Sequence, residues 1–320
     1  MKTIISSRFT YIFLFLISFG FANAQEFAKV DAIAKAYPKS YSNTDKLAAQ
    51  IKNDFKYESE RARALFTWIA HNIKYDTSPA AMGRKPLHYS YRTEAERREK
   101  IAAIENELAD KTLNSKKGVC HGYAMLYTVV ARKMGLQSEV VHGTAKALPE
   151  DIGKAPVASN HAWNSVKVNG QWKLLDVTWG AGGITNNSRN FDFRFDDNYF
   201  FTGPDVFFLN HFPDDKKWLL TARTESEFAS LPLYYDLEYK MISPEQGIIK
   251  TGKSLIPFKI KGITKSDMVT YQYSSGKYSN RVLPKITDGV GEFNLVLDKA
   301  VKGTLTIFVN SKSVAAYKIN

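Results

Sequence analysis

The chain has 320 residues, 44% of them apolar and 24% charged. That balance excludes a disordered chain and leaves material for more than one ordinary core. A single cysteine excludes an internal disulfide framework, and the formal charge of +12 suits nucleic acid, an anionic polymer, or simple solubility.

The first 24 residues read as a secretory leader. Lys2 and Arg8 give a positive start, and Tyr11 to Phe21 is an apolar run too short to span a bilayer comfortably. Ala22-Asn23-Ala24 is a small-residue cleavage site, so the mature chain is expected to begin at Gln25 and to be secreted or periplasmic. An uncleaved anchor is the alternative. No cysteine directly follows the run, which argues against a lipid anchor, and no later run is long enough to cross a membrane. Export argues against nucleic acid as the partner and in favour of a cell-surface polymer or an acidic protein.

Residues 25 to 56 are mixed and helical in character, with apolar positions at Leu47, Ile51 and Phe55. In SERARALFTWIAHNIKYD, the residues Ala62, Leu65, Phe66, Ile69 and Ile73 recur at helical spacing, which predicts an amphipathic helix capped by Ser59. Residues 76 to 93, with Pro79, Gly83 and Pro86, read as a loop. Glu94 to Asp110 reads as a solvated surface helix with Ile101, Ile104 and Leu108 on one face. Lys111 to Lys117 is a polar connection. Tyr123 to Met134 is helical again, with Gly135 where a C-terminal cap belongs. SEVVHG is a short strand and LPEDIGKAPVAS a loop.

NHAWNSVKVNGQWKLLDVTW carries the best hairpin signal, because Asn169-Gly170 suits a two-residue type I′ turn. That turn sets Val168 opposite Gln171, Trp163 opposite Asp176 and His161 opposite Thr178. His161 and Asp176 then become diagonal neighbours on one face, within reach of an imidazole–carboxylate bond. A bulge would break the parity. Aromatic-rich irregular chain is expected to about Leu220. After about Ser230, short alternating runs such as SLIPFKIKG, GEFNLVLDK and GTLTIFVN predict a small antiparallel β-sandwich.

The lone cysteine stands in KGVCHGYA. A buried, inert cysteine is the plain reading. Its place argues for more: a thiol in the first turn of a helix meets unpaired N–H groups and the positive end of the macrodipole, which favour the thiolate. The same N–H groups could hold an oxyanion, and Gly118 and Gly122 would leave room for a substrate backbone. Cys120 with a His161–Asp176 pair would make a nucleophilic triad. His161 follows Cys120 by roughly forty residues, a more compact arrangement than the roughly 130–150 of papain-type enzymes. Cys120, His121, His142 and His161 show no short metal-ligand spacing, and neither metal nor cofactor is expected. His211 reads as part of a turn packed on the core, His142 as structural or cleft-lining, and Trp172 and Trp179 as core. His71 and His88 show no partner spacing.

GVCHGYAMLYTVVARKMGLQSEVVHG followed by HAWNSVKVNGQWKLLDVTW, with RARALFTWIAHNIKYD upstream, resembles the transglutaminase-like superfamily. Within it the resemblance is to the subgroup containing the kyphoscoliosis peptidase and a fungal cytokinesis protein. NYFFTGPDVFFLNHFPDDKKWLL is similar to the segment after that subgroup's catalytic core. The resemblance runs from about residue 45 to about residue 235. It implies an α+β fold: a papain-like, transglutaminase-like domain over residues 25–230, then a small all-β sandwich over 231–320. It implies Cys120 as nucleophile, His161 as general base and Asp176 as orienting acid. All three are intact, whereas some relatives lack triad members and act as scaffolds. Nothing resembling the calcium-binding arrangement of animal transglutaminases is evident. Trp163, His121 and Tyr123 are candidate substrate contacts. Trp163 would wall the cleft or shield the His–Asp pair, His121 would sit at its rim or pack, and Tyr123 would line it or join the helix stripe. The expected activity is acyl transfer on amide bonds of a protein or peptide, with a cell-surface or cell-wall peptide as one candidate, by a cysteine peptidase or amidase. A cross-linking transamidase and a non-catalytic scaffold are the alternatives.

Overall fold

The computed structural model describes residues 18–78, 90–184, 190–250, 255–297 and 302–320, with side chains from 27 onward. The leader's residues before 18 lie outside the described residues, as do Pro79, Gly83, Pro86 and His88 of the predicted loop. Among the described residues, no helix is long and apolar enough to cross a membrane.

Helix α1 (Ser18–Lys35) runs through the predicted cleavage point, and α2 (Thr44–Asp54) follows a break. Asn43 caps α2 by accepting the N–H of Lys46 at 3.0 Å. Helix α3 (Glu58–Asn72) starts one residue before the expected cap Ser59. The Glu60 carboxylate accepts the Tyr57 N–H at 3.1 Å, so an acid of the first turn takes over the capping role. The expected amphipathic stripe is wider than predicted: Ala62 through Ala70 are all buried. Each fully buried Leu, Ile or Phe among them contributes about 1.5–3 kcal/mol. Arg63 survives there because its guanidinium binds the Asp31 carboxylate through two N–H groups at 2.7 and 2.8 Å, which ties α1 to α3.

The two-residue strand β1 (Lys74–Tyr75) leads toward α4 (Glu94–Ser115), which extends five residues beyond the predicted end at Asp110. Strand β2 (Lys117–Gly118) pairs with β1 in parallel and delivers the chain into α5 (Cys120–Lys133). At its far end Gly135 adopts φ +88° and closes the helix as expected.

A five-stranded antiparallel sheet backs these helices. It contains β3 (Gln137–Ala145), β4 (His161–Val168), β5 (Gln171–Leu175), β8 (Phe200–Thr202) and β9 (His211–Pro213), in the order β8-β5-β4-β3-β9. Between β5 and β8 lie the one-turn helix α6 (Val177–Ala181) and a hairpin of β6 (Gly182–Ile184) and β7 (Phe191–Phe193). A second one-turn helix, α7 (Pro204–Phe207), links β8 to β9. The aromatic-rich stretch read as irregular therefore supplies both edge strands of the central sheet. Three-residue strands are too short to show alternation. The predicted hairpin forms with Asn169 at φ 49° and Gly170 at φ 78°, and pairs Val168 with Gln171.

Beyond α8 (Glu225–Ser230) the chain is β-rich. Its strands are β10 (Leu233–Tyr234), β11 (Lys240–Ser243), β12 (Ile248–Ile249), β13 (Ile256–Lys261), β14 (Val269–Tyr273), β15 (Asn280–Val282), β16 (Lys285–Thr287), β17 (Val290–Leu295), β18 (Gly303–Val309) and β19 (Lys312–Ile319). One sheet has the order β10-β19-β18-β14-β15, with β12 also on β19; the other has the order β11-β13-β17-β16. Residues alternate inward and outward along β13, β17 and β18. Phe258 of one sheet meets Tyr317 of the other edge-on at 5.4 Å, inside a shared core with Ile260, Leu305 and Ile307. That core also draws in Phe208, Phe212 and Phe228 from the preceding segment.

Candidate active site

Cys120 is the first residue of α5, preceded by Val119 in an extended conformation. The position of Cys120 is fixed from three sides. The β1–β2 pairing continues in a bond from the Asp76 N–H to the Gly118 carbonyl at 2.9 Å. The Tyr123 hydroxyl donates to the Ile73 carbonyl at the end of α3. Asn164 on β4 is fully buried and donates to the Ala124 carbonyl and to Thr128 Oγ1, both at 2.9 Å, which locks α5 to the strand that carries His161.

Gly118 and Gly122 have a different role from the one expected. A Cβ at either position would meet Thr112 of α4, at 3.1 and 2.9 Å. Their small size lets α4 and α5 pack, and the space belongs to a neighbouring helix rather than to substrate.

His161 opens β4 opposite Gly143 of β3. A Cβ on Gly143 would lie 2.2 Å from the Phe212 carbonyl oxygen, so only glycine allows β9 to approach β3 here. The imidazole Nε2 lies 2.7 Å from Asp176 Oδ2, which leaves Nδ1 for the thiol. The hairpin register holds from Val168–Gln171 through Asn164–Leu175 and then stops. Asp176 does not continue β5; it is the N-cap of α6. Thr178 does not face His161; its N–H donates to Asp176 Oδ1 at 2.8 Å, alongside that of Trp179 at 3.2 Å. The predicted His–Asp contact is therefore made, by a helix cap instead of a diagonal strand pair.

Burial pushes the Cys120 thiol up, but the hydrogen bond and charge of His161 and the Ala162 N–H outweigh it and leave the thiol below its ordinary range. Burial opposes charge on His161. The Asp176 carboxylate, by charge and hydrogen bond, and then Cys120, reverse that and raise the imidazole to about 10. Burial also opposes the Asp176 charge, and His161 and His211 hold the carboxyl well below its usual range. The sign pattern is that of a thiolate–imidazolium pair braced by a carboxylate.

The candidate substrate contacts fare unevenly. Tyr123 is fully buried and spends its hydroxyl on Ile73, so it is core rather than cleft. Trp163 is 1% exposed, packed with Val141, Leu174 and Phe207, 6.1 Å from the His161 ring. It shields the pair from behind and offers substrate no surface. His121 is half-buried and stacks on the exposed His142 at 5.2 Å, which places it at the rim. His71 bonds the Thr67 carbonyl of its own helix at 2.8 Å.

Three residues join the site unforeseen. Trp179, expected in the core, is partly exposed and covers His161 at 5.4 Å. Tyr75 pairs with Gly118 across β1–β2, and burial followed by the charges of Cys120 and Asp176 raises its phenol to about 12. His211 on β9 is buried, with Nε2 3.1 Å from Asp176 Oδ2. The pairing of Ala145 with His211 puts it there, and nothing local in NHFPDD announces it. Donor atoms of His161, Asp176 and His211 lie within 4.8 Å of one another. Both imidazoles already bond the same Oδ2, while Oδ1 is taken by α6, so the carboxylate is saturated by N–H donors and the cluster reads as a hydrogen-bonded one.

A cysteine at a helix start facing a histidine on an antiparallel sheet is a papain-like arrangement. Residues 45–177 match the model of the Transglutaminase-like superfamily, and this segment is a transglutaminase-like domain. It is 30% identical over 242 residues to the kyphoscoliosis peptidase of Homo sapiens, an alignment covering 72% of this chain and 33% of that protein. It is 24% identical over 233 residues to hillarin of Drosophila melanogaster, covering 67% of this chain and 26% of hillarin. The chain spans about a third of the length of the curated relatives it matches. A crystal structure described as that of a TGase aligns at 18% identity over 59% of this chain and 39% of its own, with a TM-score of 0.27, too low to equate the folds as wholes.

Proposed function

We propose that this chain is an exported thiol enzyme that performs acyl transfer on amide bonds of a protein or peptide, as a cysteine peptidase or amidase. The observation that carries the reading is the braced His161, with Asp176 at 2.7 Å on one nitrogen and Cys120 on the other side. His161 takes the Cys120 proton, and the thiolate attacks the amide carbonyl. N–H groups of the first turn of α5 face the developing oxyanion. His161 returns the proton to the leaving amine, and water then releases the acyl group from the thioester. Residues 25–230 form the catalytic unit and 231–320 a β domain that engages substrate or surface, for which the basic charge favours an anionic partner. Export rests on the leader. After a cut following Ala24, the rest of α1 would still place Val30 and Ala34 in the core and Asp31 on Arg63.

A peptide-library digest comparing wild type with Cys120→Ala, with amine incorporation read in the same assay, tests the reading. Cleavage that depends on Cys120 supports it. Amine incorporation without hydrolysis replaces it with the transamidase, and identical behaviour of the two proteins refutes catalysis.

A further inference from the structure

We propose that His211 is a positioning residue for the candidate triad: a second histidine that donates its Nε2 proton to Asp176 and fixes both the direction and the strength with which that carboxylate holds His161. This role rests on the thiol-enzyme reading above and deepens it.

The geometry carries the assignment. Asp176 is fully buried and accepts four N–H donors. Two come from the first turn of α6 to Oδ1, one from His161 at 2.7 Å and one from His211 at 3.1 Å to Oδ2. A carboxylate oxygen accepts and cannot donate, so the nitrogen of His211 that faces it carries a proton in every charge state of the ring. Four donors exhaust the acceptor sites of an ionised carboxylate and leave it no free rotation.

His211 is suited to the task because it is held rigidly and kept neutral. Its ring lies flat on Phe207 at 4.1 Å and edge-on to Trp163 at 5.0 Å, with Trp179 at 4.7 Å. The groups facing it are Asp176, His161, Asn210 Oδ1 at 2.7 Å from Nδ1, the Phe207 carbonyl and, beyond Asn210, the Tyr199 phenol. Burial first, partly offset by Asp176, lowers its titration to about 4, so at neutral pH the ring carries one proton, on Nε2. Nδ1 faces Asn210 Oδ1 at 2.7 Å; in the neutral ring Nδ1 is an acceptor, which requires the Asn210 amide to be turned end for end so that its N–H2 meets Nδ1.

The consequence for chemistry is a damped carboxylate. A neutral donor on Oδ2 draws part of the negative charge away from His161. Asp176 still raises the imidazole enough to accept the thiol proton, but holds that proton less tightly when it must pass to the leaving amine. Without His211 the uncompensated charge would bind the imidazolium more strongly and favour the thiolate at lower pH.

The test uses the alkylation rate of Cys120, the only cysteine in the chain, by iodoacetamide as a function of pH. It is run in full-length wild type, His211→Phe and His211→Gln, each checked for a wild-type thermal melt. Phe keeps the ring packing and removes the donor; Gln restores an N–H near the Nε2 position. The expected result is an acid midpoint for His211→Phe lower by about half a pH unit or more, and a return toward wild type in His211→Gln. A purely structural role would lower the melt and leave the midpoint in place. A midpoint in folded His211→Phe that is unmoved or higher overturns the proposal. If wild-type Cys120 reacts no faster than a free thiol at pH 6, the thiol-enzyme reading fails, and this role fails with it. Should His211→Phe not fold, NMR of isotope-labelled histidines in wild type decides. A proton on Nε2 of His211 through neutral pH supports the assignment, and a bare Nε2 overturns it.

Discussion

Replacing Asp176 by Asn changes one atom and should disable the pair without unfolding the protein. The amide oxygen can still accept the N–H groups of Thr178 and Trp179, as Oδ1 does at 2.8 and 3.2 Å, so α6 keeps its cap. The amide nitrogen then occupies the Oδ2 position and presents donors to both His161 Nε2 and His211 Nε2, so His211 too must shift its proton to Nδ1, where Asn210 Oδ1 can accept it. His161 must answer with a bare Nε2 and move its proton to Nδ1, the side of the thiol. A ring in that tautomer cannot take the Cys120 proton. The magnitude follows from His161, which rises from 6.5 to about 10 in the wild type. That interval is worth about 5 kcal/mol. Of the four favourable contributions, those of Asp176 are the two largest. At least half the interval is therefore lost, and proton transfer from Cys120 to His161 weakens by more than about fifty-fold. Iodoacetamide alkylation at pH 6, read by mass spectrometry on the single cysteine, should slow at least about tenfold in Asp176→Asn, and its acid midpoint should move toward that of a free thiol. An unchanged midpoint in a folded variant would show that the His–Asp bond does not set the thiol's acidity, and would refute the triad.

Two further outcomes follow from buried charge. Arg63→Met takes the two guanidinium donors from the buried Asp31 carboxylate and leaves it the Thr67 hydroxyl, and should cost about 3–5 kcal/mol in urea denaturation; Arg63→Met combined with Asp31→Leu should recover most of it, and a single variant of wild-type stability would contradict the anchoring of α1. His211 sets an acid limit on the fold. Its folded value of about 4 lies below the ordinary 6.5, so its contribution is complete above 6.5 and is lost as pH falls through about 4. The loss is on the order of 3 kcal/mol. Denaturation curves between those pH values should show this slope in wild type and lack it in His211→Gln.

The sequence made the local features of this fold legible, and their reasons are short-range. Helices α3 and α5 reveal themselves through apolar spacing, and Asn169-Gly170 fixes a turn that sets the register of β4 and β5. Once that register is known, His161 and Asp176 must come close, although the strand ends at Leu175 and a helix cap completes the approach. The C-terminal strands β13, β17 and β18 alternate as a half-buried surface must.

What stayed hidden was non-local. Tyr123 and Cys120 are three residues apart, close enough on a helix to suggest a shared cleft, yet Tyr123 belongs to the stripe of Leu126 and Tyr127 that faces the core. Gly118 and Gly122 beside the lone cysteine invite a substrate reading, and only the position of Thr112 on another helix shows what fills the space. His211 sits in a three-residue strand whose partner, Ala145, lies 66 positions upstream. No periodicity can report such a pairing. In NHFPDD the histidine reads as part of a turn packed on the core, until the sheet delivers it to a carboxylate already bonded to another histidine. Buried polar clusters are assembled by topology, because each member must find its partner in a place where water cannot substitute. Their members are for that reason the residues whose roles a linear pattern is least able to disclose.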